Sequence, residues 1–153
     1  MITEQQPGVA TRVELYEILD LIDKSDEPAE LISKFGKQYT SFTDYLRCVF
    51  DNRIEFLLPD GKPPYRPADP SVVPSTWHKK HMNLKYFIKI GVTDSMSQPK
   101  RERLFIDMLE SIHPEDALIV CKMVEKKTTS KKLSKELVDE VFPGLVEEIK
   151  EKS

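Results

Sequence analysis

The chain has 153 residues, of which 39% are hydrophobic and 32% charged, with a formal net charge of −3. That length suits one domain or a domain with a short appendage. With no apolar run near the roughly 18 residues of a membrane span, and so little excess charge, the composition argues against a transmembrane protein and against wholesale polyanion binding. Met1 to Gly8 is polar and has no apolar core of a leader, so the expected setting is a cytoplasm. Cys48 and Cys121 both fall at apolar helical positions and are expected to be reduced and buried.

Thr11-Arg12-Val13-Glu14 reads as a capping box that opens a first helix, with Leu15, Ile18, Leu19 and Ile22 as its apolar seam. Ser25 or Asp26 is expected to cap a second, with Pro28 in its first turn, Leu31, Ile32 and Phe35 inward, and Gly36 as its stop. A third opens at Ser41 or Thr43. Its apolar residues Phe42, Tyr45, Leu46, Val49, Phe50, Ile54 and Leu57 predict four turns running into Pro59.

Pro59 to Pro74 holds six of the eleven prolines, which fix φ and remove donors, so an extended strap is predicted over residues 59–75. Two readings of it stand side by side. One is a connector anchored by Tyr65; the other is a proline-rich ligand for a partner's aromatic groove, carried by Pro63, Pro64, Tyr65, Arg66 and Pro67.

Ser75 is expected to cap a fourth helix, Thr76 to Ile90, stopped by Gly91, with Trp77, His81, Leu84, Phe87 and Ile88 inward. The segment Arg101 to Ala117 is the most strongly patterned of all. Leu104, Phe105, Met108, Leu109 and Ile112 form one stripe, Arg101, Arg103, Asp107 and Glu110 are expected to face water, and the other helices are expected to gather about that stripe. His113-Pro114 ends this fifth helix and begins a sixth, with Ala117, Leu118, Val120, Cys121 and Val124 apolar. Ser134 caps a seventh, stapled by Leu133 and Val138, with Leu137, Val138 and Val141 as its inner face; a last frayed turn is expected over Leu145 to Lys150. The whole predicts an all-α, compact orthogonal domain of about six to seven helices over residues 11–146, with a flexible N-terminus at 1–10 and a frayed C-terminus at 147–153.

Charge is unevenly spread. Residues 1–75 carry net −5 and residues 76–153 net +2, with locally basic windows at Thr76 to Arg103 and Lys122 to Lys135. Lys79, Lys80, Lys85, Lys89, Lys126, Lys127, Lys131 and Lys132 are therefore candidate nucleic-acid contacts, and the sixth and seventh helices resemble a helix-turn-helix. The candidate recognition helix, however, carries Glu136, Asp139 and Glu140 and no Arg, Asn or Gln for base edges. His78 and His81 have a metal-compatible spacing but no neighbouring third ligand, and His113 is best read as a helix boundary residue. The glycines form no phosphate-cradling motif, and no nucleophile elbow is present. No enzyme, metal or cofactor is expected.

Three blocks carry a resemblance: Arg53 to Tyr65, Arg101 to Ala117, and Val138 to Leu145. Together, over about residues 40–146, they resemble a family of small uncharacterised proteins of T4-like tailed phages, including cyanophages. The resemblance implies a phage origin and a helical fold; it implies no activity and brings no functional residues. The expectation is a non-catalytic phage protein that binds host machinery or a phage assembly, in the host cytoplasm or on the virion, with nucleic-acid binding as the alternative.

Overall fold

The computed structural model describes residues 12–89 and 95–146. Seven α-helices run in order among them: α1 Leu15–Lys24, α2 Pro28–Gln38, α3 Thr40–Phe50, α4 Trp77–Lys80, α5 Gln98–Leu109, α6 Pro114–Val124 and α7 Lys135–Val141. A 3-10 turn, His81–Tyr86, continues α4. No strand occurs among the described residues, only one antiparallel bridge between Phe56 and Ile88. The fold is all-α. The expectations for residues 1–10, Thr11, Ile90, Gly91 and 147–153 lie outside the described residues.

α1 begins one turn later than a Thr11 cap would place it. Glu14 sits in extended backbone and exchanges side-chain bonds with Glu17, the Glu14 N–H donating to Glu17 Oε1 at 2.9 Å. Its seam is buried as its spacing demands, with Leu15, Ile18 and Ile22 wholly removed from solvent. α2 is capped by neither Ser25 nor Asp26 but starts from Glu27, and it does not stop at Gly36. It continues to Gln38, and Gly36 lies where the end of α7 approaches: a Cβ there would stand 2.5 Å from the Phe142 ring. The glycine is kept for close approach.

α3 ends at Phe50, two turns short of Pro59. The Asp51 carboxylate collects the Arg53 backbone N–H at 3.0 Å and its guanidinium at 3.0 and 2.7 Å, which competes with continuation of the helix. The Lys126 amine then takes the carbonyls of Asp51 and Ile54, each at 2.9 Å. The Asp51 carbonyl also accepts the Ile54 N–H at 3.1 Å, a tight turn rather than a helical bond, and residues 55–57 pair instead with 87–89, through Leu57 N–H to Phe87 O at 2.7 Å and Lys89 N–H to Glu55 O at 2.8 Å.

The predicted fourth helix is mostly 3-10. Thr76, not Ser75, caps it. His78, His81, Leu84 and Phe87 stand three apart, a period that three residues per turn keeps on one face. Trp77 is fully buried and its indole N–H donates to Ser41 O at 2.9 Å.

The α5 stripe is buried at Phe105, Met108, Leu109 and Ile112 and half-buried at Leu104. Phe105 meets Phe87 edge-on at 5.4 Å. Two expectations change here. Arg101 does not face water; it is buried and spends its guanidinium on the Tyr86 carbonyl at 3.1 Å and on Gln98. Nor is α5 the hub: α3 packs against α2, α4, the 3-10 turn and α6, while α5 packs chiefly on α6.

α6 closes through a C-terminal motif in which Lys127 N–H reaches Lys122 O at 3.0 Å and Lys126 N–H reaches Met123 O at 2.9 Å. The left-handed residue that glycine usually supplies is Lys126, at φ 63°. Ser134 caps α7 by accepting from Leu137 N–H at 3.1 Å, and Leu133 and Val138 are both buried. Val141 is half-buried on that face, and Leu145 and Val146 are not helical.

Two stability outcomes follow from these close approaches. Gly36→Ala gains about 1 kcal/mol of helix propensity but must lever the Phe142 ring away, so a net loss of about 1–2 kcal/mol is expected in denaturant titrations; adding Phe142→Leu should recover most of it. Lys126→Met removes the amine from two carbonyls, of which Asp51 O keeps the Ile54 N–H at 3.1 Å while Ile54 O loses its donor, and should cost about 1–2 kcal/mol. Lys126→Gly loses the same amine but relieves the left-handed strain, and should unfold with about 1 kcal/mol more stability than the methionine variant.

Candidate functional site

The strap is fastened to the fold at separate points. Tyr65 is half-buried against α6 and hydrogen-bonds with Cys121; burial, with the neighbouring thiol, pushes its hydroxyl up to about 12. The Arg66 N–H donates to Glu110 Oε2 at 2.8 Å, and Ser75 N–H to Ser111 O at 2.8 Å. Pro63 and Pro64 line a cavity of about 320 Å³ with Leu58, Phe105 and Ile106. Of the five residues proposed to meet a partner, Pro64, Arg66 and Pro67 are exposed, while Tyr65 serves as the connector's anchor.

The candidate lysines do not behave as one set. Lys79, Lys85, Lys89, Lys127, Lys131 and Lys132 are exposed and Lys80 is half-buried. Lys89 lies 3.9 Å from Glu55 and Lys127 3.8 Å from Glu125. Lys126 is turned inward over the Phe56 ring, and burial lowers its pKa. Lys131 and Lys132 sit at the far end of α1, where their backbone N–H groups and the Ser130 hydroxyl converge on Asp23 at 2.5–3.1 Å. Burial alone would raise the Asp23 carboxyl, but these donors outweigh it and hold the pKa below its ordinary value. The connection between α6 and α7 is thereby pinned to α1, and α7 lies against α2.

Each histidine has a structural partner. His78 Nε2 meets Val13 O at 2.7 Å and its Nδ1 meets Ser41 Oγ at 2.5 Å, so the ring donates to the carbonyl and accepts from the hydroxyl. His81 Nδ1 meets Asp44 Oδ2 at 2.6 Å. His113 caps α6, accepting from Glu115 N–H at 3.1 Å, and stacks on Tyr16 at 4.4 Å. Among the described residues no group of three or more His, Cys, Asp or Glu is arranged to hold a metal.

The feature that sequence patterning missed is a groove between α1 and α6, about 800 Å³ in volume. The two helices run in the same sense: Tyr16 N–H meets Asp116 Oδ1 at 2.8 Å at one end, and Asp23 meets Ser130 at the other. Leu19 and Ile119 are buried in its floor. Leu118, one of the apolar residues of the predicted sixth helix, points outward with 47% exposure, opposite Leu21 at 43%. Glu17, Asp20, Asp23 and Glu115 border them. A signal existed in Leu21, an apolar residue that falls outside the seam of α1.

Beneath one end of this groove lies Asp116, in the first turn of α6. It is fully buried, its Oδ1 caps α1 and its Oδ2 finds no donor among the described residues. Burial first, then Glu14, Glu17 and Glu115, push its pKa up to about 7 against the Tyr16 N–H, which lowers it.

The model of a family of unknown function (DUF6433) matches residues 18–130, from within α1 to the turn that Asp23 pins. No curated protein and no solved structure matches the chain.

The folded state keeps the Asp116 proton up to about pH 7 while the unfolded chain releases it near 4. The contribution is therefore fully present in acid and is lost as pH rises through that interval. Between about pH 4.5 and 7.5 the wild type should lose on the order of 2–4 kcal/mol relative to Asp116→Asn, read from chemical denaturation of the two proteins side by side.

Proposed function

The chain belongs to that family of unknown function, and we propose that it is a non-catalytic adaptor that binds another protein through the groove between α1 and α6. One observation carries the reading: two leucines from neighbouring helices stand about half-exposed across a groove whose floor is already apolar. Covering them removes apolar surface from water at roughly 25 cal/mol per Å², and clustered apolar exposure with a polar rim is the mark of an interaction surface. The side chains best suited to proton transfer support a non-catalytic role, because His78, His81 and His113 are spent on holding α3, the 12–14 segment and the start of α6. The resemblance of residues 53–65, 101–117 and 138–145 to proteins of T4-like tailed phages supports a phage origin, with host machinery or a phage assembly as the partner and the host cytoplasm or virion as the setting.

Exposure of Lys79, Lys85, Lys127 and Lys131 favours nucleic-acid contact as the second reading. It separates cleanly by salt, since phosphate neutralisation weakens steeply as ionic strength rises.

Leu21→Arg combined with Leu118→Arg tests the groove. In infected cells, at modest salt, the wild-type chain should retain a stoichiometric protein partner, and the double variant should retain at least tenfold less. Its melting temperature should shift by no more than about 3 °C, since both positions lie on the surface. Equal retention by the two chains would sink the groove reading, and salt-sensitive mobility shifts with DNA or RNA would move the function to the lysines.

A further inference from the structure

Building on the protein-binding reading, we propose that the occupant of the α1–α6 groove is a basic amphipathic helix of about three turns in the partner protein. Length follows from α1, whose ten residues span about 15 Å at 1.5 Å per residue. Character follows from the lining. Leu21 and Leu118 offer apolar contact along the middle, and the charges that line the groove are Glu17, Asp20, Asp23 and Glu115 against Arg12 at one end, with Lys24 beside Asp20 and Lys131 and Lys132 beyond Asp23. A helix with leucine-like residues at i, i+3, i+4 and i+7 and lysine or arginine on both flanks matches that surface in shape and sign.

The four carboxylates have unequal parts. Asp23 is saturated by Ser130 and the backbone of Lys131 and Lys132, and Glu17 is engaged in the cap of α1, so both act through their field. Among the described residues Asp20 is held only by the exposed pair with Lys24 at 2.9 Å, a contact worth little in water, and Glu115 is exposed. Direct pairing with the partner therefore falls to Asp20 from one wall and Glu115 from the other. The same charges disfavour the other occupants. A nucleic-acid backbone or an anionic membrane meets like charge, and a second copy docked by two-fold symmetry sets this acidic rim against itself.

Three synthetic 14-residue peptides test the proposal against the full chain, by fluorescence anisotropy and backbone NMR shifts. One carries the leucine stripe with lysine flanks, one the same stripe with glutamate flanks, and one the lysine composition scrambled to destroy the stripe. The striped lysine peptide should bind at least tenfold more tightly than either other peptide and move the Leu21, Leu118 and Ile119 amides. Asp20→Lys with Glu115→Lys should reverse the order of the two striped peptides, and Leu118→Arg should weaken the lysine peptide at least tenfold. Equal or tighter binding of the glutamate peptide overturns the proposal, as does equal binding of the scrambled peptide, or self-association of the chain that Leu21→Arg with Leu118→Arg abolishes. If the wild type keeps a groove-dependent partner in cells while the lysine peptide fails, the partner's chemistry is wrong and the protein-binding reading survives; loss of the cellular result fells the reading itself.

Discussion

The architecture depends on the seam between α3 and the α4–3-10 unit. Ser41 and Asp44 stand one turn apart on α3, His78 and His81 one turn apart on the other element, and they meet as matched pairs at 2.5 and 2.6 Å. Trp77 adds its indole bond to the Ser41 carbonyl from within the core. These contacts span 36 and 37 residues of chain, across the whole proline-rich segment. They are charge-capable or buried hydrogen bonds of the kind that cost most when one partner is removed. With α3 fixed in this way, α2, α6 and the 3-10 turn have one surface on which to close.

Much of this was legible in the chain, and the reasons for the rest are specific. Apolar spacing located all seven helices, because a buried stripe must repeat with the helix. It overran α3, since Ile54 and Leu57 continue the period while Asp51 and the distant Lys126 take the backbone groups that would sustain it. It read the fourth helix as α although His78, His81, Leu84 and Phe87 keep an interval of three throughout.

Charge misled in the same measure. Arg101 and Asp116 look like solvated residues at helix starts, and both are buried because each answers backbone groups that only the folded arrangement brings near: the Tyr86 carbonyl for Arg101, the Tyr16 N–H for Asp116. The candidate site was the least legible part. An outward leucine is unremarkable by itself; Leu21 and Leu118 become a surface only when α1 and α6 lie side by side, 100 residues apart in sequence at their tie. The proline strap, which drew attention by composition, is largely committed to the body through Tyr65, Arg66 and Ser75.

That manner of attachment has a dynamic consequence. A segment fastened at residues 57, 65, 66 and 75, with proline-rich stretches between that bond within themselves at Asp69, Ser71 and Val72, is divided into short spans that can lift one at a time while the helices stay closed. Amide protons within those spans would then exchange with solvent deuterium on a schedule set by each local fastening, and the rim of the molecule would breathe long before its interior does.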